Sequence, residues 1–157
     1  MTINLGINGF GRIGRSTLSH IKESARNDVH VTKINATGSI QTNAHLLKYD
    51  STHGRFHGEI IVENDTLDIG YGPVKVFSTY NPQELDWYGC DIVLECTGKF
   101  TDGFKSKVHI EQGAKSVLIS APASNVDKTI IYGVNHKSLT RDDKIVSNGS
   151  CTTNCLA

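Results

Sequence analysis

The sequence predicts an α/β domain: a doubly wound, largely parallel sheet with an antiparallel excursion. Three observations predict it. Short apolar runs alternate with stretches of helical spacing along most of the chain. A glycine-rich turn joins the first such run to the first helix. Turn residues in the middle of the chain break the alternation into shorter pieces. The 157 residues suffice for one domain with its own core.

"INLGING" (Ile3 to Gly9) reads as a short apolar strand. "GRIGRSTLSHIKESARN" then sets Ile13, Thr17, Leu18 and Ile21 at helical spacing, and "HVTKIN" (His30 to Asn35) alternates as a second strand. Strand, tight turn, helix, strand is a crossover unit, which implies parallel pairing. "SIQTNAHLLKYD" is a second helix carrying Ala44, Leu46 and Leu47. In "GEIIVENDTLDIGYGPVKVFST", Asn64-Asp65 and Gly70-Tyr71-Gly72 separate three short strands, the antiparallel excursion. Beyond Pro82 the parallel pattern resumes. "DIVLEC" is a buried strand, "TDGFKSKVHIEQGA" a helix, and "KSVLIS", "KTIIYG" and "KIVSN" further strands. No repeat or low-complexity linker interrupts the pattern.

Lysines and arginines balance aspartates and glutamates at 16 each, which argues against binding nucleic acid by phosphate neutralisation. No apolar run is long enough to span a bilayer, and no basic region with an apolar stretch opens the chain. A cytoplasmic location without membrane partners is the expectation. The four cysteines, Cys90, Cys96, Cys151 and Cys155, form no Cys-x-x-Cys pair, so no metal site is expected. Cys90 and Cys96 read as free thiols buried in a strand region.

"GFGRIG" places Gly9, Gly11 and Gly14 as G-x-G-x-x-G after a strand and at the start of a helix. In that context the first glycine allows the tight turn, the second lets backbone approach a pyrophosphate, and the third lets helix pack on strand. The helix N-terminus then offers unpaired N–H groups to the anion. This is the Rossmann-type arrangement for a dinucleotide. Its usual partner is an acid about 20 residues on that binds the adenine ribose. Here the second strand ends "KINATGS", and Asn35-Ala36-Thr37 occupy the position. Either Asn35 and backbone groups still hold an NAD ribose, or the missing carboxylate admits the 2′-phosphate of NADP, with Thr37 and Ser39 as donors. Lys33 is close in sequence, but strand alternation points it elsewhere.

Near the end, "SNGSCTTNCLA" sets Cys151 among hydroxyl residues. With Ser150 as a cap, Cys151 falls in the first turn of a helix, whose dipole favours a thiolate. The neighbouring hydroxyls and amides suit an oxyanion or a phosphate. Cys155, one turn further, is expected to be more shielded. On chemistry alone Cys151 is either a nucleophile or a buried structural thiol.

"INGFGRIGR", "HLLKYDSTHGRF", "ECTGKF", "SAPA" and "SNGSCTTNCLA", in that order and across essentially the whole chain, resemble phosphorylating glyceraldehyde-3-phosphate dehydrogenases. The resemblance implies an NAD(P)-binding domain over residues 1–149, with 150–157 opening a catalytic domain. It implies that Cys151 attacks the aldehyde and that Ser150 and Thr152 help hold a substrate phosphate. It implies a cofactor site built from Asn8, Gly9, Phe10, Gly11, Arg12, Ile13, Gly14, Asn35, Ala36, Thr37, Thr97, Gly98, Phe100 and Ser120. The substrates implied are glyceraldehyde 3-phosphate and inorganic phosphate, the cofactor NAD or NADP, and the assembly a homotetramer.

Two positions depart from the family pattern. Ala36 stands at the ribose aspartate, as in members that accept NADP, and Tyr80 replaces a basic residue near the adenine. The general-base histidine belongs to the other half of the family's enzymes. None of the seven histidines here matches it, and these are expected to be surface or structural. An erythrose-4-phosphate dehydrogenase shares the cysteine motif and remains an alternative, as does a dinucleotide-binding module without turnover. Acylating semialdehyde dehydrogenases fit the combined "HLLKYDSTHGRF" and "SCTTNC" segments less well.

Overall fold

The computed structural model describes residues 2–157. Its first crossover is β1 (Ile3–Asn8), α1 (Arg12–Glu23) and β2 (Val29–Asn35). Then come α2 (Ile40–Lys48), the short strands β3 (Tyr49–Asp50) and β4 (Gly54–Arg55), and β5 (Ile61–Glu63), β6 (Thr66–Asp68) and β7 (Pro73–Phe77). The second half holds β8 (Ile92–Glu95), α3 (Gly103–Glu111), β9 (Ser116–Ile119), β10 (Lys128–Thr129), β11 (Ile145–Ser147) and α4 (Cys151–Leu156). Nine strands form one sheet in the order β10-β11-β9-β8-β1-β2-β7-β6-β5. All pairs from β10 through to β7 are parallel, while β7–β6 and β6–β5 are antiparallel. The expected doubly wound α/β fold is present. Among the described residues no helix is long and apolar enough to cross a membrane.

Strand alternation puts different residues on the two faces of the sheet. On β1, Leu5 and Ile7 join Leu18 and Ile21 of α1, Leu47 of α2, and Val31 and Ile34 of β2 in one core cluster. Gly6 faces the opposite way, against the Trp87 ring: a Cβ there would lie 2.7 Å from it. Val93 of β8 also faces that side and joins Trp87, Leu85, Cys90 and Ala114 in a second cluster, with Ile110 of α3 against it. Trp87 is fully buried. An aromatic side chain of its class removes ~150–250 Å² from water, on the order of 4–6 kcal/mol.

Several boundaries move from the sequence expectation. Helix α1 stops at Glu23 rather than running to Asn27, since Ser24 caps it and Ala25 adopts φ 50°. Helix α2 stops at Lys48, not Asp50. Tyr49 and Asp50 instead pair with Arg55 and Gly54, and the Asp50 carboxylate accepts the N–H groups of Thr52 (2.8 Å) and His53 (2.9 Å) to close the turn. The excursion is only partly antiparallel, because β7 also pairs parallel with β2. Of "KTIIYG" only Lys128 and Thr129 pair as strand; Asn135 Oδ1 captures the Ile131 N–H at 2.7 Å and turns the chain.

Candidate dinucleotide site

From β1 the chain continues to β2 on one side, and β8 flanks β1 on the other. That is the switch point of an open α/β sheet, where a crevice opens beyond the carboxyl ends of the strands. The crevice here has a volume of about 360 Å³. Of the residues expected at the cofactor, Asn8, Gly9, Phe10, Gly11, Asn35, Thr37, Thr97 and Phe100 line it.

The three glycines fill three different needs. Gly9 turns with φ 95°, and a Cβ on it would meet the Thr97 amide nitrogen at 2.7 Å. Gly14 packs α1 on the turn so closely that a Cβ would fall inside 3.0 Å of the Gly9 carbonyl oxygen. Gly11, the N-cap of α1, has no capping side chain, and a Cβ there would enter open space. The first amides of the helix, at Arg12, Ile13 and Gly14, have no carbonyl behind them to bond, and the N-cap Gly11 just ahead of them lines the crevice.

Other expected residues stand off the crevice lining. The Arg12 guanidinium turns away to Thr52 Oγ1 (2.9 Å) and Asp50 (3.5 Å). With the two backbone N–H groups ahead of it, this charge helps draw the Asp50 carboxyl down to about 2. Ala36 is 1% exposed, packs in the core, and donates its N–H to the Phe77 carbonyl (2.9 Å). Ser39 caps α2, accepting the Thr42 N–H at 3.1 Å and sharing a bond with the Thr42 hydroxyl. Of the two hydroxyls suggested for a 2′-phosphate, Thr37 alone lines the crevice. Lys33 points away, to Asp86 and the Tyr88 carbonyl, as alternation implied. Gly98 is exposed with φ 72°, and Ser120 sits behind Cys96.

The structure adds lining residues that sequence reasoning passed over: Arg15, Asn43, Thr79, Cys96 and Lys99. Arg15 donates to the Phe10 carbonyl (2.8 Å), and its Nε is buried without a partner. Lys99 brings a cation to the rim and lies 5.4 Å from the Tyr80 ring centroid. Both were within the quoted motifs "INGFGRIGR" and "ECTGKF". Asn43 had no sequence signal. Burial pushes the Cys96 thiol up to about 11, with hydrogen bonding to Ser120 pulling the other way. Burial likewise raises Cys90, against a bond with Thr32. Cys96 is thus half-buried at the crevice wall rather than within the strand.

At the far end of the chain Ser150 caps α4, accepting the Thr153 N–H at 2.9 Å, and Cys151 is the first helical residue. Ser150, Thr152 and Thr153 share a hydroxyl cluster at 2.7–2.9 Å. Both Cys151 and Cys155 are exposed. This corrects the expectation that Cys155 is shielded, because α4 buries none of its residues. Cys151 does not line the crevice. His109 is the fully buried histidine, held between Trp87 and Glu95. Among the described residues no cluster of three or more His, Cys, Asp or Glu could hold a metal ion.

A parallel sheet whose switch-point crevice is floored by a glycine turn, beneath an open helix N-terminus, defines a Rossmann-type dinucleotide-binding domain. Residues 3–103 match the family described as "Glyceraldehyde 3-phosphate dehydrogenase, NAD binding domain". The whole chain is 55% identical to the glyceraldehyde-3-phosphate dehydrogenase of Cereibacter sphaeroides, covering 47% of that protein, and 55% identical to that of Xanthobacter flavus, covering 48%. The Pseudomonas aeruginosa glyceraldehyde-3-phosphate dehydrogenase is 49% identical, with 48% covered. The chain belongs to the glyceraldehyde-3-phosphate dehydrogenase family, as its NAD-binding domain, and spans about half the length of the curated relatives it matches.

Proposed function

We propose that this chain is the NAD(P)-binding half of a phosphorylating glyceraldehyde-3-phosphate dehydrogenase, and that Cys151 is the nucleophile of the assembled enzyme. The open N-terminus of α1 at the crevice carries the cofactor reading. The fit is physical: Gly11 lines the crevice and leaves open a space that a Cβ would enter, and Arg15 Nε is an orphan donor on the same lining. The amides of Arg12, Ile13 and Gly14 would hold the pyrophosphate, while Asn8, Phe10, Asn35, Thr37, Thr97 and Phe100 wall the crevice. Ala36, Gly98 and Ser120 would shape the cofactor site from behind that wall. When bound, the nicotinamide accepts the hydride.

The chemistry of this chain's residues then follows. The Cys151 thiolate adds to the aldehyde carbon of glyceraldehyde 3-phosphate to form a hemithioacetal. Loss of hydride from that carbon leaves a thioester on Cys151. A phosphate oxygen attacks the thioester carbonyl and the thiolate departs, giving 1,3-bisphosphoglycerate, a step of glycolysis. The hydroxyls of Ser150 and Thr152 hold a phosphate group during these steps. The base that takes the thiol proton comes from the catalytic half, so the 157 residues alone bind cofactor without turnover.

We place the assembled enzyme in the cytoplasm as a homotetramer. Loss of the ribose aspartate at Ala36 removes rejection of a 2′-phosphate, so NADP serves alongside NAD. The test is calorimetric titration of the chain with NAD+ and NADP+. Binding of both supports the reading, and absence of binding by either removes it. Activity of the full-length enzyme on glyceraldehyde 3-phosphate against erythrose 4-phosphate separates the two substrates.

A further inference from the structure

Beneath the crevice runs a chain of buried side-chain hydrogen bonds that the chemistry above does not use. It begins past the end of β7, where the Thr79 N–H donates to Asn35 Oδ1 (3.1 Å). Asn35 Nδ2 donates to the Thr79 carbonyl (3.0 Å) and to Asn8 Oδ1 (2.8 Å). Asn8 Nδ2 donates to Glu95 Oε2 (2.6 Å). From the other side, Trp87 Nε1 donates to His109 Nδ1 (3.1 Å), and His109 Nε2 meets Glu95 Oε2 at 2.9 Å. Thr97 gives Glu95 Oε1 both its backbone N–H (2.8 Å) and its hydroxyl. Asn8, Asn35, Glu95, His109 and Trp87 are all buried.

The direction of this chain is fixed at both ends. A backbone N–H and an indole N–H can only donate. Thr79 therefore orients the Asn35 amide, and Asn35 orients that of Asn8. Trp87 makes His109 Nδ1 an acceptor, so Nε2 carries the proton and donates. All four bonds at Glu95 arrive as donors, two on each oxygen. The centre has to accept on both sides, which a carboxylate does and an amide does not.

We propose that Glu95 is the positioning residue of the dinucleotide crevice. Without touching a ligand, its carboxylate holds Asn8 and Thr97 directly and Asn35 through Asn8, all three crevice-lining residues. It ties the carboxyl ends of β1, β2 and β8 to one point. The proposal rests on the dinucleotide reading of that crevice.

Glu95→Gln keeps the shape and turns one acceptor into a donor. With its oxygen toward Asn8 and His109, the amide keeps both bonds and sets its NH2 against the Thr97 N–H. Reversed, it opposes both Asn8 and His109, and neither can turn round. The mismatch therefore falls on Thr97, whose hydroxyl also accepts the Lys99 N–H (3.0 Å) in the crevice wall.

NMR and calorimetry on the 157-residue chain, with NAD+ as ligand, test this. In Glu95→Gln the Thr97 amide resonance should move and its hydrogen exchange accelerate at least tenfold. NAD+ affinity should fall at least tenfold, while the indole N–H of Trp87, the single tryptophan, stays in place. A Trp87 shift and lowered Tm with unchanged NAD+ affinity would mean a core role alone and overturn the proposal. Unchanged affinity with an unmoved Thr97 amide overturns it too. Should Glu95→Gln fail to fold, the wild-type chain decides. Exchange protection of the Thr97 amide and the His109 Nε2–H, each moving on NAD+ binding, supports the proposal. Fast exchange at either, or no response to NAD+, overturns it. A wild-type chain that takes up neither NAD+ nor NADP+ sinks the dinucleotide reading itself; a variant that binds like a binding-competent wild type sinks only the role of Glu95.

Discussion

Gly14→Ala and Gly11→Ala add the same methyl group three residues apart and should give different results, a loss of stability at Gly14 and a loss of affinity at Gly11. At Gly14 the new Cβ lies inside 3.0 Å of the Gly9 carbonyl oxygen and 3.1 Å from Ile7 Cγ2. Ordinary carbon contacts sit at about 3.5–4.0 Å, so α1 has to lift off the turn by on the order of 1 Å. Overpacking of this kind costs about 1–3 kcal/mol, and the gain in helix propensity from glycine to alanine returns up to about 1 kcal/mol. A clash with backbone rather than a movable side chain puts the cost at the upper end, and the resulting net loss of about 2 kcal/mol lowers Tm by roughly 4–8 °C for a domain of this size. At Gly11 a Cβ meets nothing within 4 Å, and φ is −75°, so only the N-cap preference for glycine over alanine is lost and Tm should fall by no more than about 2 °C. That methyl instead stands where backbone has to approach a pyrophosphate, so NAD+ affinity should fall at least tenfold. Thermal melts and calorimetric titration of both variants check the pair. An unchanged Tm in Gly14→Ala, or wild-type NAD+ affinity in Gly11→Ala, refutes the assignment of the two glycines.

Alkylation at pH 8 should modify Cys151 and Cys155 readily and spare Cys90. Cys96, held near 11, has only about one part in a thousand as thiolate there, so its labelling should be roughly two orders of magnitude slower than that of a free thiol. Peptide mapping by mass spectrometry reads the order, and early labelling of Cys96 would contradict the burial argument. Asp50 has a folded value lowered to about 2, so the stability it contributes is complete above its unfolded value near 3.8 and is lost as pH falls toward 2. A carboxyl NMR titration of Asp50 should show its midpoint below 3, and a midpoint near 4 would exclude the turn bonds to Thr52 and His53. Ala36→Asp should weaken NADP+ binding more than NAD+ binding, by repulsion of the 2′-phosphate. It should also lower Tm, because the site is 1% exposed and a carboxylate there loses water. An unchanged NADP+ to NAD+ affinity ratio in calorimetry would remove position 36 from cofactor choice.

The parts of the fold legible in sequence are those with local causes. "INGFGRIGR" declares its turn because each glycine is required by backbone geometry a few residues away. The three excursion strands show through Asn64-Asp65 and Gly70-Tyr71-Gly72, since turn chemistry is written in the turn itself. Element ends were less legible. Helical spacing carries through Tyr49 and Asp50, yet the Asp50 carboxylate bonds the amides ahead of it and ends α2, a competition that periodicity does not register. "KTIIYG" is apolar and β-branched, but Asn135, four residues past Ile131, takes the N–H that a longer strand would need.

Residues of the site divide along the same line. The glycines were legible because they serve the backbone turn of the motif that contains them, and Thr97 only through the family that its motif resembles. Ala36 was legible as a missing acid, but not as a buried residue, because burial depends on Phe77 and the core across the sheet. The bonds meeting at Glu95 were the least legible, because their partners lie 14 and 87 residues away on α3 and β1. Glu95, read in sequence as part of a buried strand and a family motif, carries a charge that no pattern within that strand accounts for. A buried carboxylate requires donors, and here they come from the ends of β1, the loop after β8 and α3. The residue with the least local explanation is therefore the one that joins the most elements at the crevice.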